Sequence, residues 1–299
     1  MSKNNFPPVI RVEGLTKYYG KTIGIDGLSF SVNSGEVFGF LGPNGAGKTT
    51  TISLFLDLIR PTRGSVYLFG LNPREHGLKI RSRIGYLPGE MGYYENMTGM
   101  QYLNYFASLR RVDCTKRIKE LAEYFFCMDI NRKIKTYSRG MKQLTGIIQA
   151  FMSSPELYIL DEPTANLDPI MCQRFYRLVE EEARKGKTIF LSSHQLHEVE
   201  RLCGRICIIK KGKMATLETV DNIRKNMKKT IEISFNEDVA PESLKVEGVT
   251  NVTKTDGLYC LEITGDLNKI FARLSTLSIK TFDFRKASLG EIFHGYFEE

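Results

Sequence analysis

The sequence predicts an α/β protein in which a largely parallel sheet is followed by a small α+β domain. Short apolar strands alternate with helical segments between residues 9 and 210, as in a parallel sheet covered by helices. A glycine-rich loop at residues 42–50 lies between an apolar strand and an apolar helix. After about residue 225 the pattern changes to cleanly alternating strands around one short helix. We therefore expect one domain at 1–225 and a second at 226–299.

The glycine-rich loop carries the strongest functional signal in the chain. Its glycines let successive backbone N–H groups point at phosphate oxygens, and the N-terminus of the following helix adds partial positive charge. Lys48 is placed to reach the β- and γ-phosphates, and Thr49 to offer a hydroxyl to Mg²⁺. The loop thus predicts a P-loop NTPase core whose nucleotide ligands are Gly42, Pro43, Asn44, Gly45, Ala46, Gly47, Lys48, Thr49 and Thr50.

Apolar periodicity predicts the other elements in order. In the first domain, strands are expected at 9–12, 27–32, 37–41, 65–69, 84–87, 156–160, 188–192 and 205–209, the last being the final strand of the block. Helices are expected at 48–60, over most of 98–130, at 139–152, at 169–185 and from about 195. The second domain should contain strands at 230–235, 258–263 and 279–284 and a helix at 267–277, after a Lys-rich junction at 224–229.

Composition indicates a globular protein of a reducing compartment. Apolar residues make up 42% of the 299 residues, without a run long enough to span a membrane or an N-terminal signal-peptide core. The six cysteines form no CxxC pair and are expected to be free thiols. The net charge of +8 could suit nucleic acid or an anionic membrane surface. The Lys and Arg residues are scattered along the chain, however, which favours a solvated surface, and we expect no nucleic-acid partner. We expect a cytoplasmic protein that reaches a membrane only through a partner.

Two acids end the apolar strand at 156–160. A carboxylate at a strand end is often a helix cap, but ligands of open parallel sheets sit at these ends. Asp161 follows Lys48 by 113 residues within the same core. We therefore expect Asp161 to hold Mg²⁺ and Glu162 to act as general base toward the attacking water.

Further motifs follow in a specific order. The segment Tyr-Ser-Arg-Gly-Met-Lys-Gln at 137–143 opens a helix, Ala-Asn-Leu-Asp occupies 165–168, and Leu-Ser-Ser-His occupies 191–194. Together with the phosphate loop and the strand ending in Asp161, this order resembles the nucleotide-binding domain of an ABC (ATP-binding cassette) ATPase. The resemblance covers roughly residues 9–220, and it implies ATP as the nucleotide and a helical subdomain at about 90–152.

The resemblance also implies roles for single residues. Tyr19 corresponds to an aromatic residue that stacks on adenine. Ser138 and Gly140 match the signature motif, which contacts the γ-phosphate of ATP held by a second nucleotide-binding subunit, and Asp168 matches the acid of the loop between subunits. His194 matches a histidine that bonds the γ-phosphate and orients the general base. Alone, such a histidine would more often cap a helix, and a metal pair with His197 lacks an acid or cysteine partner.

The chain departs from the family pattern at two motifs. The signature has Arg139 and Met141 where glycine and glutamine are common. Gly89 stands where the family usually has a glutamine that touches Mg²⁺ and the attacking water, a contact that glycine cannot make. Either Glu90 substitutes for that glutamine, or the site relies on Asp161 and water alone.

Other segments favour one branch of the family. The segment 91–94 is apolar and suited to receive a partner helix, although simple packing explains it equally well, and the tail at 288–297 resembles motor subunits of ABC-2-type export permeases. The resemblance implies an exporter ATPase on the cytoplasmic face of the membrane, paired with a separate permease, in a homo- or heterodimer of nucleotide-binding subunits. The alternative is a soluble ABC ATPase that regulates a complex without transport. A GTPase is disfavoured because an Asn-Lys-x-Asp motif is absent.

Overall fold

The computed structural model describes residues 7–125, 129–225, 229–263 and 267–286. Contacts between Cα atoms divide the chain into two units, residues 1–220 and 221–299. The tail at 288–297, and residues 126–128 and 226–228 within the predicted helical segment and the Lys-rich junction, lie outside the described residues. Within the described part of the chain, no helix is both long and apolar enough to cross a membrane.

The first unit alternates strands and helices along the chain. Its strands are β1 (Ile10–Tyr19), β2 (Thr22–Val32), β3 (Val37–Leu41), β4 (Arg63–Leu68), β5 (Ile84–Leu87), β6 (Leu157–Asp161), β7 (Thr188–Ser193), β8 (Arg205–Lys210) and β9 (Lys213–Thr219). Its helices are α1 (Lys48–Phe55), α2 (Pro73–Arg81), α3 (Gly99–Leu109), α4 (Thr115–Tyr124), α5 (Arg139–Phe151), α6 (Pro169–Arg184) and α7 (Leu196–Leu202). A further helix, α8 (Val220–Lys225), begins at the boundary between the units.

Two sheets form the first unit. Five parallel strands and one antiparallel edge strand are ordered β5-β6-β7-β3-β8-β9, and a smaller antiparallel sheet is ordered β2-β1-β4. The register pairs Leu41 with Ser193 and Asp161 with Ser192. The carboxyl ends of β3, β6 and β7 therefore lie side by side, at the edge where ligands of parallel sheets bind.

Phenylalanine rings fill the space between the two sheets. The ring of Phe190 in β7 is fully buried and lies between 5.2 and 6.5 Å, centroid to centroid, from the rings of four others. These are Phe30, Phe38, Phe40 and Phe55. Because the rings come from both sheets and from α1, this cluster holds the phosphate-loop helix against the strands.

Replacing the central ring should weaken the first unit strongly. We expect Phe190→Ala to lower the free energy of unfolding by about 3–5 kcal/mol, because it removes buried surface and leaves a cavity. Urea unfolding followed by circular dichroism measures the effect. Leu78→Ala, at a side chain that is 84% exposed, is the control and should change stability by no more than about 0.5 kcal/mol. Similar midpoints for the two variants would contradict the role of the cluster.

The second unit is a small α+β sandwich. Its strands are β10 (Lys229–Phe235), β11 (Val249–Thr255), β12 (Leu258–Ile263) and β13 (Ile279–Lys286), and its helix is α9 (Leu267–Leu274). The sheet is antiparallel with the order β11-β12-β10-β13. Ile270 and Leu274 of α9 pack on the apolar side chains of β10 and β12.

Some elements differ from the prediction. The helix expected at 48–60 ends at Phe55, because Asp57 adopts a left-handed backbone with φ 56°. β8 is not the last strand of the unit, since β9 pairs with it through a turn at Lys211 and Gly212, both with positive φ. The helix α2 was not predicted, although the side chain of Asn72 caps it and Pro73 begins it. The exposed, polar strand β11 and the short helix α8 were also missed.

Candidate functional site

The glycine-rich loop connects β3 to α1 and borders a small open pocket. Gly45 and Gly47 have φ values of 77° and 108°, and a Cβ atom at Gly47 would lie 2.6 Å from the carbonyl oxygen of Gly24. Only glycine fits there. The pocket of about 220 Å³ is lined by Gly24, Asn44, Gly45, Gly47, Lys48, Thr49, Thr50 and Glu162.

The remaining loop residues shape the loop rather than line the pocket. The backbone N–H of Gly42 donates to the carbonyl oxygen of Ser193 at 3.2 Å. The carbonyl oxygen of the buried Ala46 accepts from Gly212 at 3.0 Å. Pro43 lies at the exposed tip with Asn44 and Gly45. These bonds anchor the loop to the end of β7 and to the turn between β8 and β9.

Lys48 lies inside the loop with its ammonium surrounded by oxygen atoms. Its side chain is 6% exposed, and Nζ donates to the carbonyl oxygens of Gly42 at 2.7 Å and Pro43 at 3.2 Å. Nζ also lies 3.0 Å from Oε1 of Glu162. The loop therefore holds a buried positive charge at the N-terminus of α1, and a helix N-terminus with a cation is an arrangement that binds phosphate.

Asp161 is fully buried at the end of β6, where two hydroxyl groups reach its carboxylate. Thr49 Oγ1 donates to Oδ2 at 2.8 Å, and Ser192 Oγ donates to Oδ1. Burial and the charge of Asp161 raise the pKa of Tyr86 to about 12, so this phenol stays protonated. A Cβ atom at Gly89 would lie 3.3 Å from Oδ2. The carboxylate and the Thr49 hydroxyl are the hard oxygen ligands that Mg²⁺ prefers.

Glu162 directs its two carboxylate oxygens to different partners. Oε2 lies 2.6 Å from Nδ1 of His194, and the buried Oε1 accepts no hydrogen bond within the described chain, so the ion pair with Lys48 compensates it. The backbone of Glu162 is left-handed with φ 50°, and its N–H donates to the carbonyl oxygen of Ser192 at 3.2 Å. Such strain at a non-glycine residue is typical of functional sites.

The signature residues lie at the start of α5, beside the loop that follows Glu162. Ser138 caps α5 by accepting from the N–H of Met141 at 3.2 Å. A Cβ atom at Gly140 would lie 3.0 Å from the carbonyl oxygen of Asn166. Asp168 caps α6 by accepting from two backbone N–H groups at 2.9 Å. Ser138, Gly140 and Asp168 are not among the described residues that line the phosphate pocket.

Tyr19 lies near the edge of the phosphate pocket, with half of its surface exposed. A Cβ atom at Gly24, which lines the pocket, would lie 2.9 Å from Cε2 of Tyr19. Nζ of Lys17 lies 5.2 Å from the ring centroid, within cation–π range. The structure therefore places an exposed aromatic ring near the phosphate loop.

Sequence reasoning did not single out two buried polar residues that hold the site together. Gln143 of α5 is 8% exposed and donates to the carbonyl oxygen of Pro163 at 2.9 Å. Glu198 of α7 is 1% exposed and accepts from hydroxyl groups on both sides of the site. A polar residue at a buried helix position was the available signal, because such residues are rarely buried without partners.

The arrangement defines a class of protein. A phosphate-binding loop, a buried aspartate followed by a partly buried glutamate, and a histidine at one edge of a parallel sheet are the parts of a P-loop nucleoside triphosphatase. The family profile described as ABC transporter matches residues 25–165, and the profile described as ATP-binding protein DrrA1-3-like, C-terminal domain, matches residues 219–296.

Proteins similar to this chain indicate which kind of nucleoside triphosphatase it is. The chain is 34% identical over 283 residues to the bacitracin transport ATP-binding protein BcrA of Enterococcus faecalis, covering 92% of each chain. It is 37% identical to the linearmycin resistance ATP-binding protein LnrL of Bacillus subtilis, over 71% of this chain and 69% of that protein. A solved ATP-binding subunit of an ABC transporter superposes with a TM-score of 0.68 at 30% identity, covering 73% of this chain and 92% of the other.

The chain therefore belongs to the family of ABC transporter ATP-binding subunits. It binds ATP and is the ATP-hydrolysing motor subunit of an ABC exporter, which implies a transmembrane permease as partner. The alternative of a soluble ATPase that regulates a complex without transport is not favoured by these relatives.

Proposed function

We propose that this chain and a second nucleotide-binding subunit enclose two MgATP molecules, and that hydrolysis drives a separate permease between conformations. One observation carries the proposal. Glu162 places one carboxylate oxygen on Lys48 and the other on His194 at the mouth of the phosphate pocket. A base, a phosphate-binding cation and a histidine thus converge where the γ-phosphate would lie.

Residues around Asp161 fit a bound Mg²⁺. Thr49 Oγ1 and Asp161 Oδ2 lie 2.8 Å apart, and Thr49 directly follows Lys48 in the phosphate loop. With the metal bound, Thr49 would supply a hydroxyl ligand, and Asp161 would act directly or through a water molecule. Mg²⁺ supplies positive charge that neutralises the phosphates and orients them for in-line attack.

Lys48, Glu162 and His194 would each have a separate role in ATP hydrolysis. Lys48 would exchange its contact with Glu162 for the β- and γ-phosphates, which frees the carboxylate of Glu162. Glu162 then orients the attacking water and accepts its proton as the water oxygen bonds to the γ-phosphorus. The bond from that phosphorus to the bridging oxygen breaks, and ADP retains the electron pair. His194 holds Glu162 in position and contacts the γ-phosphate.

The second subunit would complete each site. Ser138 and Gly140 present the N-terminal turn of α5, a position with exposed N–H groups and a hydroxyl that suits an anion. Because they lie off the phosphate pocket of their own chain, they are available to the ATP bound by a partner. Asp168 would lie between the two subunits, and the exposed ring of Tyr19 would stack on adenine.

An apolar groove is the proposed docking surface for the permease. It has a volume of about 360 Å³, and Leu58 and Tyr86 line it together with Met91, Tyr102 and Phe106. The loop at 88–92 lines this groove and also passes Asp161 at Gly89. One loop therefore adjoins both the nucleotide site and the groove, although the family's glutamine is absent. Docking would hold the chain at the cytoplasmic face of the membrane.

Copurification tests whether a membrane permease binds to this groove. We expect Glu162→Gln, extracted in mild detergent with MgATP, to bring down a multi-span membrane protein. Adding Leu58→Arg, at a side chain in the groove that is 60% exposed, should remove that protein, because a buried charge without a partner is costly. Adding Leu78→Arg, outside the groove, is the matched control and should retain it. Capture of soluble partners alone, or of none while the wild type hydrolyses ATP, would contradict the proposal.

A further inference from the structure

A buried carboxylate in α7 connects the two loops that carry the proposed catalytic residues. Glu198 is 1% exposed. Its Oε1 accepts from Thr164 Oγ1 and, at 3.2 Å, from the hydroxyl of Tyr176. Its Oε2 accepts from Ser193 Oγ at 2.6 Å. Three hydroxyl groups from three separate segments therefore converge on one side chain.

Two of the residues that donate to Glu198 adjoin the proposed catalytic residues in the sequence. Thr164 follows Glu162 by two residues, and Ser193 immediately precedes His194. Ser193 Oγ also accepts from the backbone N–H of Gln195 at 2.9 Å, which shapes the turn around His194. Through these hydrogen bonds, the carboxylate of Glu198 connects the loop that carries Glu162 to the loop that carries His194.

Packing alone does not explain an acid at this position. A carboxylate removed from water is costly unless hydrogen bonds satisfy it, and an apolar side chain of similar size would fill the same space. A carboxylate can accept from all three hydroxyls at once, because each of its two oxygen atoms offers acceptor sites. Burial and the charge of Glu198 raise the pKa of Tyr176, so its phenol remains a donor. The network therefore has one acceptor at its centre and a defined geometry.

We propose that Glu198 is a positioning residue for ATP hydrolysis, which holds Glu162 and His194 at hydrogen-bond distance. The inference rests on the proposed roles of those two residues. It assigns Glu198 no contact with the nucleotide, since neither it nor its three partners line the phosphate pocket. Disturbing the network should therefore slow turnover and leave ATP binding unchanged.

Steady-state ATPase kinetics of three variants test the proposal. Glu198→Gln keeps the size but cannot accept from three hydroxyls, and Thr164→Val removes one donor at nearly constant volume. We expect each to lower kcat on the order of tenfold, because small displacements of a base have large effects on rate, with the KM for ATP within about twofold of wild type. Glu182→Gln is the matched control, and its kcat should not change.

Glu182 resembles Glu198 in its burial and in its tyrosine partner, but its other contacts are different. Glu182 is also 1% exposed, and its Oε2 also accepts from a tyrosine hydroxyl, that of Tyr158, at 2.8 Å. Its other partners are Lys185, which follows the last residue of α6, and Arg117 of α4. A loss of activity that follows only from destabilising a buried acid would therefore appear in Glu182→Gln as well.

Each outcome decides a different claim. Unchanged kcat in Glu198→Gln and Thr164→Val, or an equal loss in Glu182→Gln, would overturn the positioning role. Glu162→Gln and His194→Ala are assayed beside them. Wild-type rates in those two variants would refute the proposed function and this inference with it. Their inactivity combined with fully active Glu198 and Thr164 variants would refute the inference alone.

Discussion

Glu162→Gln is expected to bind MgATP and to lose nearly all hydrolysis. The amide keeps the shape of the side chain but cannot accept a proton, and general-base catalysis contributes about 10²–10⁴-fold to rate. The substitution also removes the ion pair that holds Lys48 against Oε1, so Lys48 is free to contact the phosphates. Phosphate release measures kcat, and equilibrium binding of a fluorescent ATP analogue measures affinity.

The same variant reports on assembly. If two chains enclose ATP, blocked hydrolysis should leave the dimer closed, and the variant should elute as a dimer with saturating MgATP. Glu156→Gln is a suitable control, because Glu156 is an exposed acid paired with Arg83 away from the site. It should behave as wild type. A wild-type rate in Glu162→Gln would refute the general base, and a monomer under saturating MgATP would count against the enclosed pair of nucleotides.

Lys48→Ala is expected to lose ATP binding almost completely. Hydrogen bonds to charged groups contribute about 1.5–3 kcal/mol each, and this ammonium can reach two phosphates. Losing two such bonds corresponds to roughly a hundredfold or greater rise in Kd. The change also leaves the buried Oε1 of Glu162 without the cation that compensates it, so stability should fall too. Isothermal titration calorimetry with MgATP measures the affinity, and thermal unfolding measures the stability.

A second lysine shows whether loss of ATP binding depends on the position of Lys48 or only on the loss of one positive charge. Lys79 is an exposed residue of α2 with no part in the phosphate loop. Lys79→Ala removes the same charge and should leave the Kd for ATP unchanged. Unchanged affinity in Lys48→Ala would refute the assignment of the phosphate loop, whatever the control shows.

Strong local patterns explain which elements were predictable. The strands β3, β5, β6 and β7 are short apolar runs, and the sequence predicted each of them within one or two residues. β11 alternates weakly because most of its side chains are exposed, so hydrophobic periodicity could not detect it. β9 was overlooked because its two-residue turn contains lysine before glycine rather than the more familiar asparagine or aspartate.

The candidate site also contains some residues that the sequence identified and others that only the structure revealed. The phosphate loop, Asp161 and Glu162 belong to short motifs whose residue types already indicate their chemistry. The role of His194 came only from the family resemblance. Gln143 and Ser192 stood inside quoted motifs without an assigned part, and their contacts with Pro163 and Asp161 appear only in the folded chain. Glu198 had no motif at all, since its partners come from three separate segments.

The sequence by itself determined the order of the motifs, the α/β class and the chemistry that each motif can perform, because periodicity and turn composition are local properties. Tertiary structure alone decided which groups meet. Thr49 and Asp161 are 112 residues apart and share a hydrogen bond, and Glu162 and His194 are 32 apart. These contacts depend on the register of β3, β6 and β7 in one sheet. Such pairing arises from burial of all three strands together, which no short stretch of sequence encodes.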